Sequence, residues 1–441
     1  MKSGSMVLRY SDTSHIAHDE LQSTAVSLAP YLRQLRQAPA TGVYIAPECS
    51  INLATDQELL KIVLAAKRKL VTASLRYLIV IGIGGSNLGA KAVYDALYGY
   101  FDALRPKRFP KMIFLDTCDP EFLSHLKKFL QTEIKKSQEV LVNVISKSGT
   151  TTESAVNAEV VLQTLGKRFP KVGERIVVTT DKDSKLWQLA RQKNFTLLEI
   201  PKQVGGRYSV LSAVGLFPLA VVGINVNALR TGALKMREGC LGDGMENPAL
   251  VSACVLYLQH QQGKAIHDTF VFHPELESLG KWYRQLMGES IGKEKDADGK
   301  TVNTGIFPSV SVGSTDLHSV GQLYLGGQQN IVTTFVAAKN YLRIKIPEKL
   351  QFFGLVNGIT GKTTSDVISA ILEGVKIAYT KRGLPFMEIV LDDLSERSLG
   401  EFLQFKMMEM MYLGKLFNVN AFDQPNVESY KIETRKILLT H

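Results

Sequence analysis

Between residues 76 and 200, short apolar runs alternate with stretches in which apolar positions recur every three or four residues. The runs at 77–83, 112–117, 140–146, 175–180 and 196–200 read as strands, and the stretches near 87–98, 120–136, 152–166 and 184–193 read as helices. Such alternation predicts a parallel sheet covered by helices on both faces. Ligands of such sheets gather beyond the carboxyl ends of the strands, so loops 82–89 and 146–152 are expected on one rim.

From 209 to 229 the chain carries no charge, which is near the length of a membrane-spanning helix. Gly215, Pro218, Gly223, Asn225 and Asn227 interrupt that stretch and Arg207 and Arg230 flank it, so a buried helix of a globular core is expected. A second α/β set follows, with a helix near 248–262, a strand at 269–272, a helix near 276–290 and strands at 331–337 and 386–391. A long helix is predicted at 399–414, where Met407, Met408, Met410 and Met411 suit adaptable core packing.

At 441 residues, two domains are the natural division. The net charge of +10 fits anionic ligands. Its basic residues are scattered, and neither a zinc finger nor a basic–aromatic ladder suggests nucleic acid. Cys49, Cys118, Cys240 and Cys254 are far apart, which points to neither a disulfide framework nor a zinc site and fits a reducing cytoplasm. No signal-peptide pattern opens the chain. His15 and His18 lie within a helical turn of each other but have no further Cys or His to complete a metal site.

The most informative segment joins a strand pattern to Ser146-Lys147-Ser148-Gly149-Thr150-Thr151 and then to a helical pattern. Hydroxyls and backbone N–H groups converging on a helix N-terminus suit a phosphate monoester. The same residues would also make a plain capped turn. Gly82-Ile83-Gly84-Gly85-Ser86-Asn87 fits a dinucleotide fingerprint poorly, because Asn87 stands where the last glycine belongs and no acidic residue ends the next strand at the usual spacing. Its paired glycines instead admit a small polar ligand close to the backbone.

In Gly205-Gly206-Arg207-Tyr208-Ser209 a permanent guanidinium follows two glycines, which suits a phosphate or a developing enediolate as well as a plain structural Arg before an apolar helix. Gln285 and Glu289 are four apart on one helical face. Placing Glu289 near a helix C-terminus sets its charge against the dipole, which can raise a carboxyl pKa toward general-base range. Thr315 is a plausible cap that would put His318 in a helix's first turn, where a neutral imidazole is expected.

Together with Gly288-Glu289-Ser290-Ile291-Gly292-Lys293, Asp316-Leu317-His318-Ser319 and Gln424-Pro425-Asn426-Val427-Glu428-Ser429-Tyr430-Lys431, these segments resemble the phosphoglucose isomerase family in its shorter bacterial form. The resemblance runs from about residue 45 to 432, and the six segments occur in the family's order. It implies two three-layer α/β/α sugar-isomerase (SIS) domains with mostly parallel sheets, plus a C-terminal helical arm. The corresponding division is an N-terminal segment (1–45), a first domain with the phosphate loop (46–215), a second with the catalytic Glu and His (216–400) and the arm (401–441).

By matching positions, the resemblance implies that Ser146, Ser148, Thr150 and Thr151 hold the sugar phosphate, with the Lys147 backbone nearby. Ser86 and Gly206 would line the sugar and Gln285 would contact it. Glu289 would move a proton between C1 and C2 through a cis-enediol, with Arg207 stabilising the enediolate. His318 and Lys431 would open the ring, with His318 reaching the site from a neighbouring subunit of a homodimer. The implied reaction is the glucose 6-phosphate/fructose 6-phosphate interconversion of glycolysis and gluconeogenesis, with no cofactor, metal, nucleic acid or membrane involved. An isomerase that also accepts mannose 6-phosphate would use the same residues, and a sugar-phosphate sensor would keep the hydroxyl loop without the base. The polar loop 293–300 departs from the family pattern and is expected to affect dimer contacts.

Overall fold

The structure is a computed structural model that describes residues 5–440. A short N-terminal strand, β1 (Val7–Arg9), precedes β2 (Tyr77–Ile81), β3 (Lys111–Leu115), β4 (Val140–Ile145), β5 (Ile176–Thr180) and β6 (Thr196–Glu199). The last five form a wholly parallel sheet in the order β3-β2-β4-β5-β6. Every residue of β4 and β5 is buried, as expected for strands covered on both faces. The strands and helices read from the sequence in this region are all present, with ends shifted by a few residues.

The order reverses between β2 and β4. The chain leaves β2 toward β3 and returns on the other side, which opens a crevice at their carboxyl ends. The loops after β2 and β4 are the two expected on the rim.

The second half contributes β7 (Ile266–Val271), β8 (Lys293–Lys295), β9 (Thr301–Thr304), β10 (Phe307–Val312), β11 (Ile331–Asn340) and β12 (Phe386–Asp393). A second five-stranded sheet runs β1-β12-β11-β7-β10, parallel except for β1. Two of its edge strands carry little sequence signal: β1 has three residues, and β10 mixes Pro308, Ser309 and Ser311 into its apolar pattern. Because β1 pairs with β12, the N-terminal segment joins the second sheet; its first four residues lie outside the described part.

The uncharged stretch forms a buried helix, Ala213–Val221, which ends before Gly223 at φ +89°; a separate helix, Val226–Cys240, follows. Among the described residues no helix is long and apolar enough to cross a membrane. The expected divisions at 215/216 and 400/401 fall inside the continuous helices Ala213–Val221 and Glu396–Leu416. The latter packs its four methionines in the core, so the arm begins after it. That arm ends in the helix Glu428–Thr440, which buries none of its residues.

Candidate active site

The hydroxyl loop begins where β4 ends. Ser146 is buried, its Oγ lies 2.9 Å from Thr151 Oγ1, and it accepts from the Gly149 amide at 3.2 Å. Ser148 Oγ accepts from the Thr150 amide at 3.3 Å and lies 3.2 Å from Thr150 Oγ1. Gly149 is at φ +70°, where a Cβ would also stand 2.8 Å from Leu186 Cβ. Thr151 occupies the N-cap of the helix Thr152–Gly166, but its side chain makes no cap hydrogen bond. It turns to Ser146 instead, so the loop is not an ordinary capped turn and the first helical amides have no cap from Thr151.

Burial pushes the Lys147 ammonium below the usual lysine range; Asp181 opposes the shift and Arg207 adds to it.

Backbone contact joins the remaining parts. A Cβ on Gly82 would stand 2.8 Å from Ser86 Cβ and 3.0 Å from the Ile145 carbonyl oxygen, which sets Ser86 beside the end of β4. A Cβ on Gly85 would lie 2.2 Å from the Gly206 carbonyl carbon and 2.5 Å from the Arg207 nitrogen. Only glycine at 85 lets these two loops touch backbone to backbone. Gly84, at φ +58°, leaves room for the Gln285 carboxamide, whose Nε2 would be 2.8 Å from an added Cβ.

Glu289 sits in the last turn of the helix Glu277–Ile291, as its pattern predicts. Its Oε1 accepts from Gln285 Nε2 at 2.9 Å and its Oε2 from Arg207 Nη1 at 3.2 Å. These donors counter the unfavourable helix dipole. The side chain remains about one-third exposed, while Gln285 Oε1 is buried without a partner.

Arg207 is buried, and all five of its N–H directions are used. Nε donates to Ser290 Oγ (2.9 Å), Nη1 to Glu289 and Gln424 Oε1 (2.8 Å), and Nη2 to the carbonyls of Ala421 (2.6 Å) and Asp423 (3.0 Å). Arg207 thus supplies a fixed charge whose N–H groups are already engaged, and it locks the 421–424 turn. Sequence reasoning gave no role to Ser290, Lys293, Asp423 or Gln424, although three of these lie in the matched segments. Nothing in local spacing announces a contact spanning more than 200 residues.

His318 is placed differently from the expectation. Thr315 opens a short 3-10 turn, Thr315–Leu317, with no side-chain cap, and His318 terminates that turn instead of entering a helix. The next helix starts only at Gly321, too far on for Thr315 to cap it. His318 is exposed and makes no side-chain hydrogen bond. It follows the carboxyl end of β10, whereas Gly288, beside Glu289, meets Pro308 at the amino end of that strand. From Pro308 to Val312 alone spans about 13 Å, at roughly 3.3 Å per residue. The structure thus does not bring His318 to Glu289 within one chain. Lys431 pairs with Glu428 on its own helix at 2.7 Å, also without reaching Glu289. Among the described residues no group of three or more His, Cys, Asp or Glu could hold a metal.

The model of the family described as phosphoglucose isomerase matches residues 28–440, a span wider at both ends than the sequence resemblance suggested. Among curated proteins, glucose-6-phosphate isomerase of Fusobacterium nucleatum is 34% identical over 423 residues, 94% of this chain and 91% of that protein. The enzyme of the same name from Methanocaldococcus jannaschii is 34% identical over 355 residues, 80% of this chain and 82% of that protein. Among solved structures, a glucose-6-phosphate isomerase from Chlamydia trachomatis superposes with a TM-score of 0.79 at 22% identity, covering 98% of this chain and 88% of that one. That likeness bears on the fold.

Proposed function

The chain belongs to the phosphoglucose isomerase family, and from that premise we infer that it catalyses reversible isomerisation of D-glucose 6-phosphate and D-fructose 6-phosphate. This is a step of glycolysis and, in reverse, of gluconeogenesis. The observation that carries the mechanism is the partly exposed Glu289 carboxylate, held between Gln285 and Arg207 where the 84–86 and 205–208 loops meet.

In our reading the sugar phosphate docks on the hydroxyls of Ser146, Ser148, Thr150 and Thr151, with the backbone of Lys147 and the open helix N-terminus. Ser86 and the Gly206 backbone line the sugar. The buried, unpartnered Gln285 Oε1 suits a sugar hydroxyl as donor. Glu289 takes the C2 proton of the open-chain aldose, leaving a cis-enediolate charged on O1. A proton passes from O2 to O1 through the cis-enediol, and Glu289 returns its own proton to C1 as O2 becomes the ketose carbonyl; running the steps backwards gives the aldose. Arg207 stabilises the enediolate oxygen through its fixed charge, with no N–H to spare for a separate bond. An aldose–ketose shift by this route requires neither redox cofactor nor metal.

Ring opening is assigned to His318 and Lys431. Because His318 lies at the other end of β10 from Glu289, we assign it to the site of a second copy in a homodimer. Lys431 follows the turn that already touches Arg207, which supports an approach of its ammonium to the ring oxygen. The four free cysteines fit a cytoplasmic enzyme.

The reaction is tested by coupling fructose 6-phosphate turnover to a glucose-6-phosphate dehydrogenase readout; no rate above background would refute it. The subunit assignment is tested by mixing His318→Ala with Glu289→Gln after dissociation and reassociation. Mixed dimers carry one intact site and should regain activity that neither variant has. Absence of recovery despite demonstrated mixing would place His318 elsewhere.

A further inference from the structure

The polar segment after Glu289 is a two-stranded ribbon, β8–β9, that clasps the C-terminal turn. Asn418 Nδ2 donates to Asp298 Oδ2 at 2.7 Å, the Ala297 amide to the Asn418 carbonyl at 2.7 Å, and Asn426 Nδ2 to Glu294 Oε2 at 2.7 Å. Inside this clasp lies Lys293, whose side chain is only 4% exposed. Its ammonium donates to the Glu289 carbonyl at 2.9 Å, to Asp423 Oδ1 at 2.9 Å and to the Asp423 carbonyl. Burying an ammonium is costly unless its donors are paired, and all three are.

The Glu289 carbonyl is one of the last in its helix, so it has no partner one turn on, and a cation there also matches the dipole. Asp423's carbonyl is shared with Arg207 Nη2, and Arg207 Nη1 returns to the Glu289 carboxylate. A closed circuit of hydrogen bonds therefore runs from the backbone of Glu289 through Lys293, Asp423 and Arg207 to its own side chain.

We propose that Lys293 is a positioning residue: by tying the end of the 277–291 helix to the Asp423 turn, it sets where the Glu289 carboxylate stands toward the substrate. This rests on the reading of Glu289 as the base. Displacing a base by about 1 Å is enough to lower turnover up to about 100-fold without loosening the phosphate grip.

The test is Lys293→Met in the full-length enzyme, since the other ribbon bonds remain to hold the turn. We expect kcat for fructose 6-phosphate to fall about 10- to 100-fold while KM changes less than about threefold. The acid limb of the kcat/KM profile should move to higher pH, because the cation held at the Glu289 carbonyl has gone. Lys293→Arg should recover part of the rate. Asn426→Ala removes a ribbon–turn bond away from Glu289 and should leave kcat within about twofold. Wild-type kcat and an unmoved acid limb in Lys293→Met, corrected for folded fraction, would overturn the proposal. So would an equal loss in Asn426→Ala.

If Lys293→Met does not fold, Asp423→Asn loosens the same ammonium from the half-exposed side. It should lower kcat about threefold or more at constant KM, and an unchanged kcat would count against the proposal. A Glu289→Gln enzyme that stayed active would instead sink the base assignment itself, so the two failures are distinguishable.

Discussion

The two lobes meet the cleft from opposite ends of their sheets. The first offers loops at the carboxyl ends of β2 and β4, the switch point of a parallel sheet. The second offers the end of a helix, packed beside the amino end of β10. The side-chain bonds of the hydroxyl loop close within five residues, while its backbone is tied to the neighbouring strand by Thr180 Oγ1, which donates to the Ser146 carbonyl at 2.6 Å. The carboxylate site is assembled from Arg207, the 285–293 stretch and the 421–424 turn. A locally built loop should fail locally, as weaker binding. A site built across long separations should fail in turnover, and several of its residues should fail together.

Glu289→Gln breaks this contrast most severely. Turnover in the coupled assay should drop about 1,000-fold or more, while calorimetry shows a hexitol 6-phosphate binding as before. Near-wild-type turnover would move the base elsewhere. Arg207→Met comes next: it removes one donor each from Ser290, Ala421, Asp423 and Gln424, so kcat should fall about 100-fold and the melting temperature by several degrees. A kcat loss with unchanged melting would confine Arg207 to chemistry.

On the other side, Ser146→Ala combined with Thr151→Val should raise KM about 10-fold and leave kcat within about threefold. A kcat-dominated loss would erase the distinction between the lobes.

A last effect, outside the site, concerns stability in the second sheet. Burial pushes the Asp268 carboxyl up to about 6, against the pull of Ser311 and other hydroxyls. Between pH ~4 and ~6 the folded state keeps a proton that the unfolded chain has released, so stability falls as pH rises through that window. Asp268→Asn should flatten this slope, removing a difference of roughly 2–3 kcal/mol in denaturant titrations at pH 4 and 7. An unchanged slope would show that the carboxyl is not buried as described.

The same contrast explains what could be read from sequence. All five strands of the first sheet were legible because each is an apolar run and the first four are each followed by a helical pattern, and the hydroxyl loop because its residues are contiguous. Gln285 and Glu289 were legible through their helical spacing. The lock on Arg207 was not, since its partners Ala421, Asp423 and Gln424 lie over 200 residues away and two of them act through backbone carbonyls, which any residue supplies. The placement of His318 failed for a local reason: Thr315 has a capping side chain but is itself the first residue of a short 3-10 turn, preceded by Ser314 and without any side-chain cap.

A crystal structure of the enzyme with an open-chain hexitol 6-phosphate tests the central claim in one measurement. The phosphate should lie among Ser146, Ser148, Thr150 and Thr151, with a Glu289 carboxylate oxygen about 3–3.5 Å from C1 or C2. A phosphate bound elsewhere, or a Glu289 carboxylate turned away from those carbons, would contradict the account.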